Sequence, residues 1–330
     1  MGSHFGQDLT LVSTLDLLQF VWGIKEINKE TSMPILRALW QRFDDLTCEE
    51  MISVADILFM NDIYVPTYTS ALISHITENF ELLPLTPSQM QRLALHTTHH
   101  GHRPPYLQMM FEQHLLDNMD QLHVNDVLLW VQFFFVSRAV IKSADLLERI
   151  GEKVLRDFKD VNPRILPILL KTFRLSHYTK ISFYKTLGDL IVEREHFRRS
   201  RYLHEVMHFA YGYAVVGVTH PRMFLYVLDE CFKEHKNTRL KDISKIIWSC
   251  GRLLTDGSKH IELIEQIVEN LKVDRQELLR FPDNLVDLLM GLAYLGIFPE
   301  HLLDTLFQPE VIRNILGQYF SSSQGFQIWA

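Results

Sequence analysis

Residues 127–134, VLLWVQFF, place apolar side chains at Val127, Trp130, Val131 and Phe134. That i, i+3, i+4, i+7 spacing paints one face of an α-helix. The same frame returns along the chain at Leu17 (LLQFVWGI), Met51 (MISVADIL), Ile165 (ILPILLKT), Leu203 (LHEVMHFA), Ile243 (ISKIIWSC) and Leu285 (LVDLLMGL), with a weaker copy near Gln91 (QRLALHTT). Successive starts lie roughly 34–42 residues apart, the period of helical-pair repeats.

A second amphipathic helix is predicted between the copies: Met33–Phe43, Tyr68–Phe80, Tyr106–Met119, Ala144–Phe158, Phe183–Val192, Arg222–Phe232 and Ile261–Leu271. Ser13, Thr47, Thr86, Ser143, Thr219 and Asp283 are suited to cap helix N-termini. Pro34, Pro66, Pro105 and Pro163 fall near helix starts, where a missing N–H costs nothing. One helix pair cannot bury its apolar face alone, whereas stacked pairs share a continuous core. The expected fold is all-α: a right-handed superhelical α-solenoid of about eight helix–turn–helix repeats of roughly 38 residues. Trp22, Trp130, Phe133, Phe134, Phe173, Tyr211 and Trp248 recur at helical spacing and are expected in its core.

Composition agrees. The 330 residues are 47% hydrophobic, with only 14 Gly and 12 Pro, and alternating valine-rich runs are nearly absent. The net charge of -7 means that any nucleic-acid role must rest on a local basic patch. Cys48, Cys231 and Cys250 are odd in number, widely spaced and form no CxxC, which suggests a reducing compartment without a disulfide framework. No apolar run reaches membrane-spanning length. Met1-Gly2-Ser3-His4 resembles a cloning scar, so residues 1–7 are set aside as a disordered start, and residues 319–330, with their Ser321-Ser322-Ser323, are expected to form a flexible tail.

The sharpest catalytic string is His204-Glu205-Val206-Met207-His208, an HExxH. Two histidines four apart share a helical face and suit zinc, with Glu205 working on a bound water and Glu230 as a third ligand candidate. Against a zinc hydrolase, the string lies inside one repeat helix whose relatives lack it, and Leu203, Val206, Met207 and Ala210 hold the common core register. A second group, His96, His99, His100 and His102, reads as a polar helix end leading into a turn. Nucleophile elbows, phosphate-cradling glycine loops and kinase strings are absent from the sequence, so no cofactor and no enzymatic activity are expected.

Basic residues thicken between Lys171 and Arg252. Lys171, Arg174, Lys180, Lys185, Arg198, Arg199, Arg201, Arg222, Lys245 and Arg252 are the candidate RNA-binding set. Arg174 follows Ile165 by nine residues, as Arg252 follows Ile243, and equivalent repeat positions line one face of a solenoid. Such a stripe would bind phosphates with counterion release. The alternative is a solvated face paired with Glu193, Glu195 and Asp242.

Asn284–Ile315, NLVDLLMGLAYLGIFPEHLLDTLFQPEVIRNI, resembles the FAST kinase-like region of the FAST kinase (FASTK) family. The likeness runs through Leu292, Tyr294, Leu295, Gly296, Phe298, Pro299, Leu302, Leu303, Leu306, Phe307, Pro309 and Glu310. Asp242–Leu253, DISKIIWSCGRL, is similar to that family's "IxWxxGxL" helices. The resemblance implies a helical-repeat region over 8–239 and a first FAST module over 240–318, continuous with it. It implies a protein of the mitochondrial matrix that binds single-stranded mitochondrial RNA, alongside other RNA-processing proteins, and regulates its processing, stability or translation. Despite the family name it implies no kinase activity. Full members continue into a second FAST module and a RAP domain. The 330 residues end soon after the first module, so activities resting on the RAP domain are expected outside them. The rival reading is a scaffold that binds a peptide or partner domain in the solenoid groove.

Overall fold

The computed structural model describes residues 38, 41–60, 66–79, 85–100, 105–199, 203–234, 239–254, 258–271 and 273–321. The Leu17 copy, residues 33–37 and 39–40 of the Met33–Phe43 helix, Ser13, Trp22, Pro34, His102, Arg201 and the segments 1–7 and 322–330 lie outside them, as do the side chains of His99, His100 and Arg199.

Among the described residues there are sixteen α-helices and no strand. In chain order they are α1 (Cys48–Met60), α2 (Pro66–Asn79), α3 (Pro87–His100), α4 (Pro105–Asn118), α5 (Val124–Val136), α6 (Ala144–Arg156), α7 (Leu166–Leu175) and α8 (Ile181–Glu193). There follow α9 (Leu203–Val216), α10 (Pro221–Glu234), α11 (Leu240–Leu253), α12 (Ser258–Glu269), α13 (Arg275–Arg280), α14 (Asp283–Tyr294), α15 (Glu300–Leu306) and α16 (Pro309–Ser321). The chain is all-α, built of the predicted alternating helices. The short α13 was not foreseen; it occupies the longest interval between copies. The expected tail is helical as far as Ser321.

The register holds where the apolar frame is strong. Val127, Trp130, Val131 and Phe134 are each no more than 2% exposed. Met51, Val54, Ala55 and Leu58 are buried, as are Leu203, Val206, Met207 and Ala210, and Ile243, Ile246, Ile247 and Cys250. Two copies are displaced by one residue. On α7 the buried set is Leu166, Leu169, Leu170 and Phe173, and on α3 it is Met90, Leu93, Ala94 and Thr97. Each aliphatic or aromatic side chain so placed contributes roughly 1.5–3 kcal/mol of transfer free energy.

Caps fix several helix starts. Thr47 and Glu50 form a reciprocal box, Thr47 N donating to Glu50 Oε2 (2.8 Å) and Glu50 N to Thr47 Oγ1 (3.3 Å). Thr86 and Gln89 repeat it, and Ser143 Oγ accepts from Leu146 N. Two predicted caps are replaced. His220 Nδ1, not Thr219, accepts from Met223 N, and Asp283 is already inside α14, which has no side-chain cap.

The contacts divide the chain into two compact units. The first contains α1–α4, the end of α5 and the first turn of α6. Its polar centre is Asp56, which binds Arg92 (2.6 Å) and the fully buried His96 (2.7 Å). The second contains the start of α5, the remainder of α6 and everything from there onward. There α9 packs against both α7 and α11, α11 packs against α14, and α8, α10 and α12 pack in succession as a second layer. Tyrosines tie that unit together: Tyr213 Oη donates to Tyr184 O (2.6 Å) and Tyr184 Oη to Tyr178 O (3.1 Å).

Candidate nucleic-acid interface

Three neighbouring helices of the second unit, α7, α9 and α11, turn their apolar stripes inward. The residues between those stripes therefore emerge together. On α7 they are Lys171 and Arg174; on α9, His204, His208 and Tyr211; on α11, Lys241, Lys245, Trp248 and Arg252. Steps of three and four residues along each helix keep every set on one face.

The geometry joins these sets into one cluster. The Arg174 guanidinium lies 5.0 Å and the Lys245 ammonium 5.3 Å from the Tyr211 ring centre. The Tyr211 and Trp248 rings are 5.7 Å apart at 46°. Arg252 lies 5.3 Å from the Trp248 ring. Both rings are partly exposed. A cation over an aromatic face is attracted by the ring quadrupole, worth about 0.5–1 kcal/mol at exposed sites.

Burial and the gathered positive charge both act on the protonation equilibria here. Burial pushes the Lys171 ammonium down, helped by the charges of Arg174 and Lys241. Burial also pushes His208 down to about 3, reinforced by Lys171, Arg174, His204 and Lys241, so its imidazole is neutral at physiological pH. Only part of this charge is compensated. Lys245 pairs with Asp287 at 2.6 Å. Among the described residues no carboxylate forms an ion pair with the side chains of Arg174, Lys241 or Arg252.

The remaining members of the basic set lie elsewhere. Lys180 pairs with Glu148, Arg198 with Glu195, and Arg222 with Asp189 at 3.6 Å. Lys185 is exposed on α8 and Arg222 lies in the first turn of α10. Arg198 and Arg222 line an open cleft with Tyr226, Asp229 and Lys233, where positive and negative groups alternate. Of the ten residues the sequence nominated, the structure brings together Lys171, Arg174, Lys245 and Arg252. It adds Lys241, four residues before Lys245, together with Tyr211 and Trp248. Those two rings were expected in the core, where Trp130, Phe134 and Phe173 do lie. The available signal was their spacing: Trp248 stands three residues from Lys245 and four from Arg252, outside the buried frame of α11.

The HExxH does not assemble. Glu205 is 8% exposed on the inner side of α9, while His204 and His208 are on the partly exposed side among the cations. Glu230 sits on α10 and binds Lys233 at 2.8 Å. Among the described residues no three His, Cys, Asp or Glu side chains converge as metal ligands. The second histidine group is also divided, since His96 faces inward to Asp56 rather than forming a polar helix end. No described helix is long and apolar enough to cross a membrane.

Comparison with known proteins adds an independent line. Residues 243–316 match the family model for FAST kinase-like protein, subdomain 1. The chain is 22% identical over 311 residues to FAST kinase domain-containing protein 5, mitochondrial, of Mus musculus, covering 93% of this chain and 40% of that protein. It is 23% identical over 269 residues to the Homo sapiens protein of the same name, covering 82% of this chain and 34% of that protein. The chain thus spans well under half the length of these relatives.

Proposed function

We propose that this chain, which belongs to the FAST kinase family, is an RNA-binding helical-repeat protein of the mitochondrion. Its proposed role is to hold single-stranded RNA for processing, stabilisation or translation. The observation that carries this reading is the uncompensated charge of Arg174, Lys241 and Arg252 on α7 and α11, the two helices that flank α9, in a chain whose net charge is -7. Isolated cations on an acidic protein ordinarily find carboxylates, as Lys180, Arg198 and Arg222 do. A patch left without them favours phosphates, whose condensed counterions are released on contact. The mitochondrial assignment comes from the names of the relatives, and the matrix is proposed as the compartment holding such RNA.

Charge reversal tests the assignment. Changing Arg174, Lys241 and Arg252 together to Glu is expected to weaken binding of a single-stranded RNA at least ten-fold in a low-salt mobility shift. Reversing Lys180, Arg198 and Arg222 is expected to change it little. Equal effects from the two sets, or no shift with the unaltered protein, would reject the reading.

A protein-binding scaffold is the second reading. It is favoured by Tyr294, Phe298 and Phe307, which are 61%, 65% and 66% exposed around α14 and α15. A partner retained after nuclease treatment and lost on changing Phe298 and Phe307 to Ser would support it.

A further inference from the structure

We propose that Tyr211 and Trp248 form a base-stacking step within this face, so that the site takes unpaired nucleobases and not merely a chain of phosphates. The proposal rests on the RNA-binding reading above and deepens it to particular residues. Three features carry it.

The first is position. α9 and α11 each have a complete buried stripe without these rings, so neither Tyr211 nor Trp248 is needed to fill the core frame. Both rings remain partly exposed on the side where the cations gather.

The second is the arrangement of the rings. Their centres are 5.7 Å apart and inclined at 46°. The Arg174 and Lys245 cations lie over the Tyr211 ring, and Arg252 over the Trp248 ring. Each ring therefore carries a cation close enough to reach the phosphate of a nucleotide whose base joins the stack. Guanidinium groups are planar and can themselves extend a stack, so Arg174 and Arg252, already over these rings, can continue it to a base while offering their charge to the backbone.

The third is selectivity. A duplex hides its base faces within its own stack and presents phosphates outward, so it can satisfy the cations but not the rings. Unpaired RNA satisfies both. Every base has a π-face, so the step is tolerant of sequence and discriminates by strandedness.

The test uses the 330-residue protein with three probes of equal length: an unpaired RNA 15-mer, the corresponding RNA duplex, and an abasic ribose-phosphate 15-mer. The unpaired RNA is expected to bind roughly ten-fold or more tightly than the abasic chain. That advantage should shrink in Tyr211→Leu and in Trp248→Leu, while the dependence of affinity on salt keeps its slope because no cation is lost. The abasic comparison needs no variant, so misfolding of Trp248→Leu cannot obscure the result. Equal binding of the unpaired and abasic chains would overturn the stacking step and leave the phosphate-binding face standing. Absence of binding by all three would overturn the functional reading itself, and the stacking step with it.

Discussion

His208 shows how one side chain registers its surroundings. It lies on α9 between the helices carrying Lys171, Arg174 and Lys241, and burial plus those charges push its pKa from the usual 6.5 to about 3. Protonation is thus resisted in the folded state and permitted in the unfolded chain. Between those two values the unfolded chain binds the extra proton, so stability from neutral His208 is fully present above about pH 6.5 and declines as pH falls toward 3. Between pH 7.5 and 5.5 the loss attributable to this group is about 1.4 kcal/mol, from about 1.36 kcal/mol per unit of pH. Urea denaturation at the two pH values should show that difference in the native protein and a smaller one in His208→Gln. Identical pH dependence in the two proteins would contradict the assignment. The HExxH spacing made His208 conspicuous in the sequence. Its electrostatic setting was hidden because the responsible cations come from α7 and α11, roughly 35 residues away on either side.

At the scale of elements, the α11–α14 crossing depends on two glycines that face each other. A Cβ at Gly251 would stand 2.2 Å from Gly291 O, and one at Gly291 would stand 2.6 Å from the Trp248 backbone. Both obstacles are main chain, so the helices themselves would have to separate. Alanine is the better helix former by about 0.8–1 kcal/mol, yet overpacking a fitted contact costs about 1–3 kcal/mol. Because the obstacle is main chain, the overpacking cost falls at the upper end, and Gly291→Ala is expected to destabilise the protein by about 2 kcal/mol in chemical denaturation. It should also alter Trp248 fluorescence, because Trp248 rides on the displaced helix. An unchanged or higher stability would show that the close approach is dispensable. A milder effect belongs to the α1 cap: Thr47→Ala removes the acceptor for Glu50 N and is expected to cost about 1 kcal/mol, read as a lowered denaturation midpoint. Helix identity was legible because the apolar frame is strong in α5, α9 and α11. It slipped by one residue at α7, where Ile165 precedes the helix, and at α3, where the sequence offers the polar Gln91 in place of the buried Met90. The turn after α14, where the sequence offered only a family likeness, has a local cause. Gly296 has φ 73°, and Ile297 N donates to Leu292 O, a glycine-terminated helix end that other residues adopt only with strain.

For the molecule as a whole, two opposed fields act on an approaching polyanion. The chain carries -7 overall, yet the α7–α9–α11 face concentrates positive charge. Which field dominates depends on distance and salt. Near 0.1 M salt the screening length is about 10 Å, so an RNA strand seated on the face senses mainly the adjacent cations. Near 0.01 M the length grows to about 30 Å, and the distributed acidic charge is felt as well. The logarithm of affinity should therefore fall with the logarithm of salt above about 0.1 M and flatten toward 0.01 M, instead of rising without limit as it would for a uniformly basic protein. On the proposed RNA-binding reading, neutralising Arg174, Lys241 and Arg252 to Gln would remove three phosphate contacts. At about 0.7 per contact on a single strand, the slope above 0.1 M should become shallower by about 2. The same substitutions at Lys180, Arg198 and Arg222 should leave that slope nearly unchanged, since each already pairs with a carboxylate. Fluorescence-anisotropy titrations of a labelled unpaired RNA across this salt range distinguish the two sets. A slope lowered equally by both would mean that phosphates are held by charge spread over the whole unit rather than by this face.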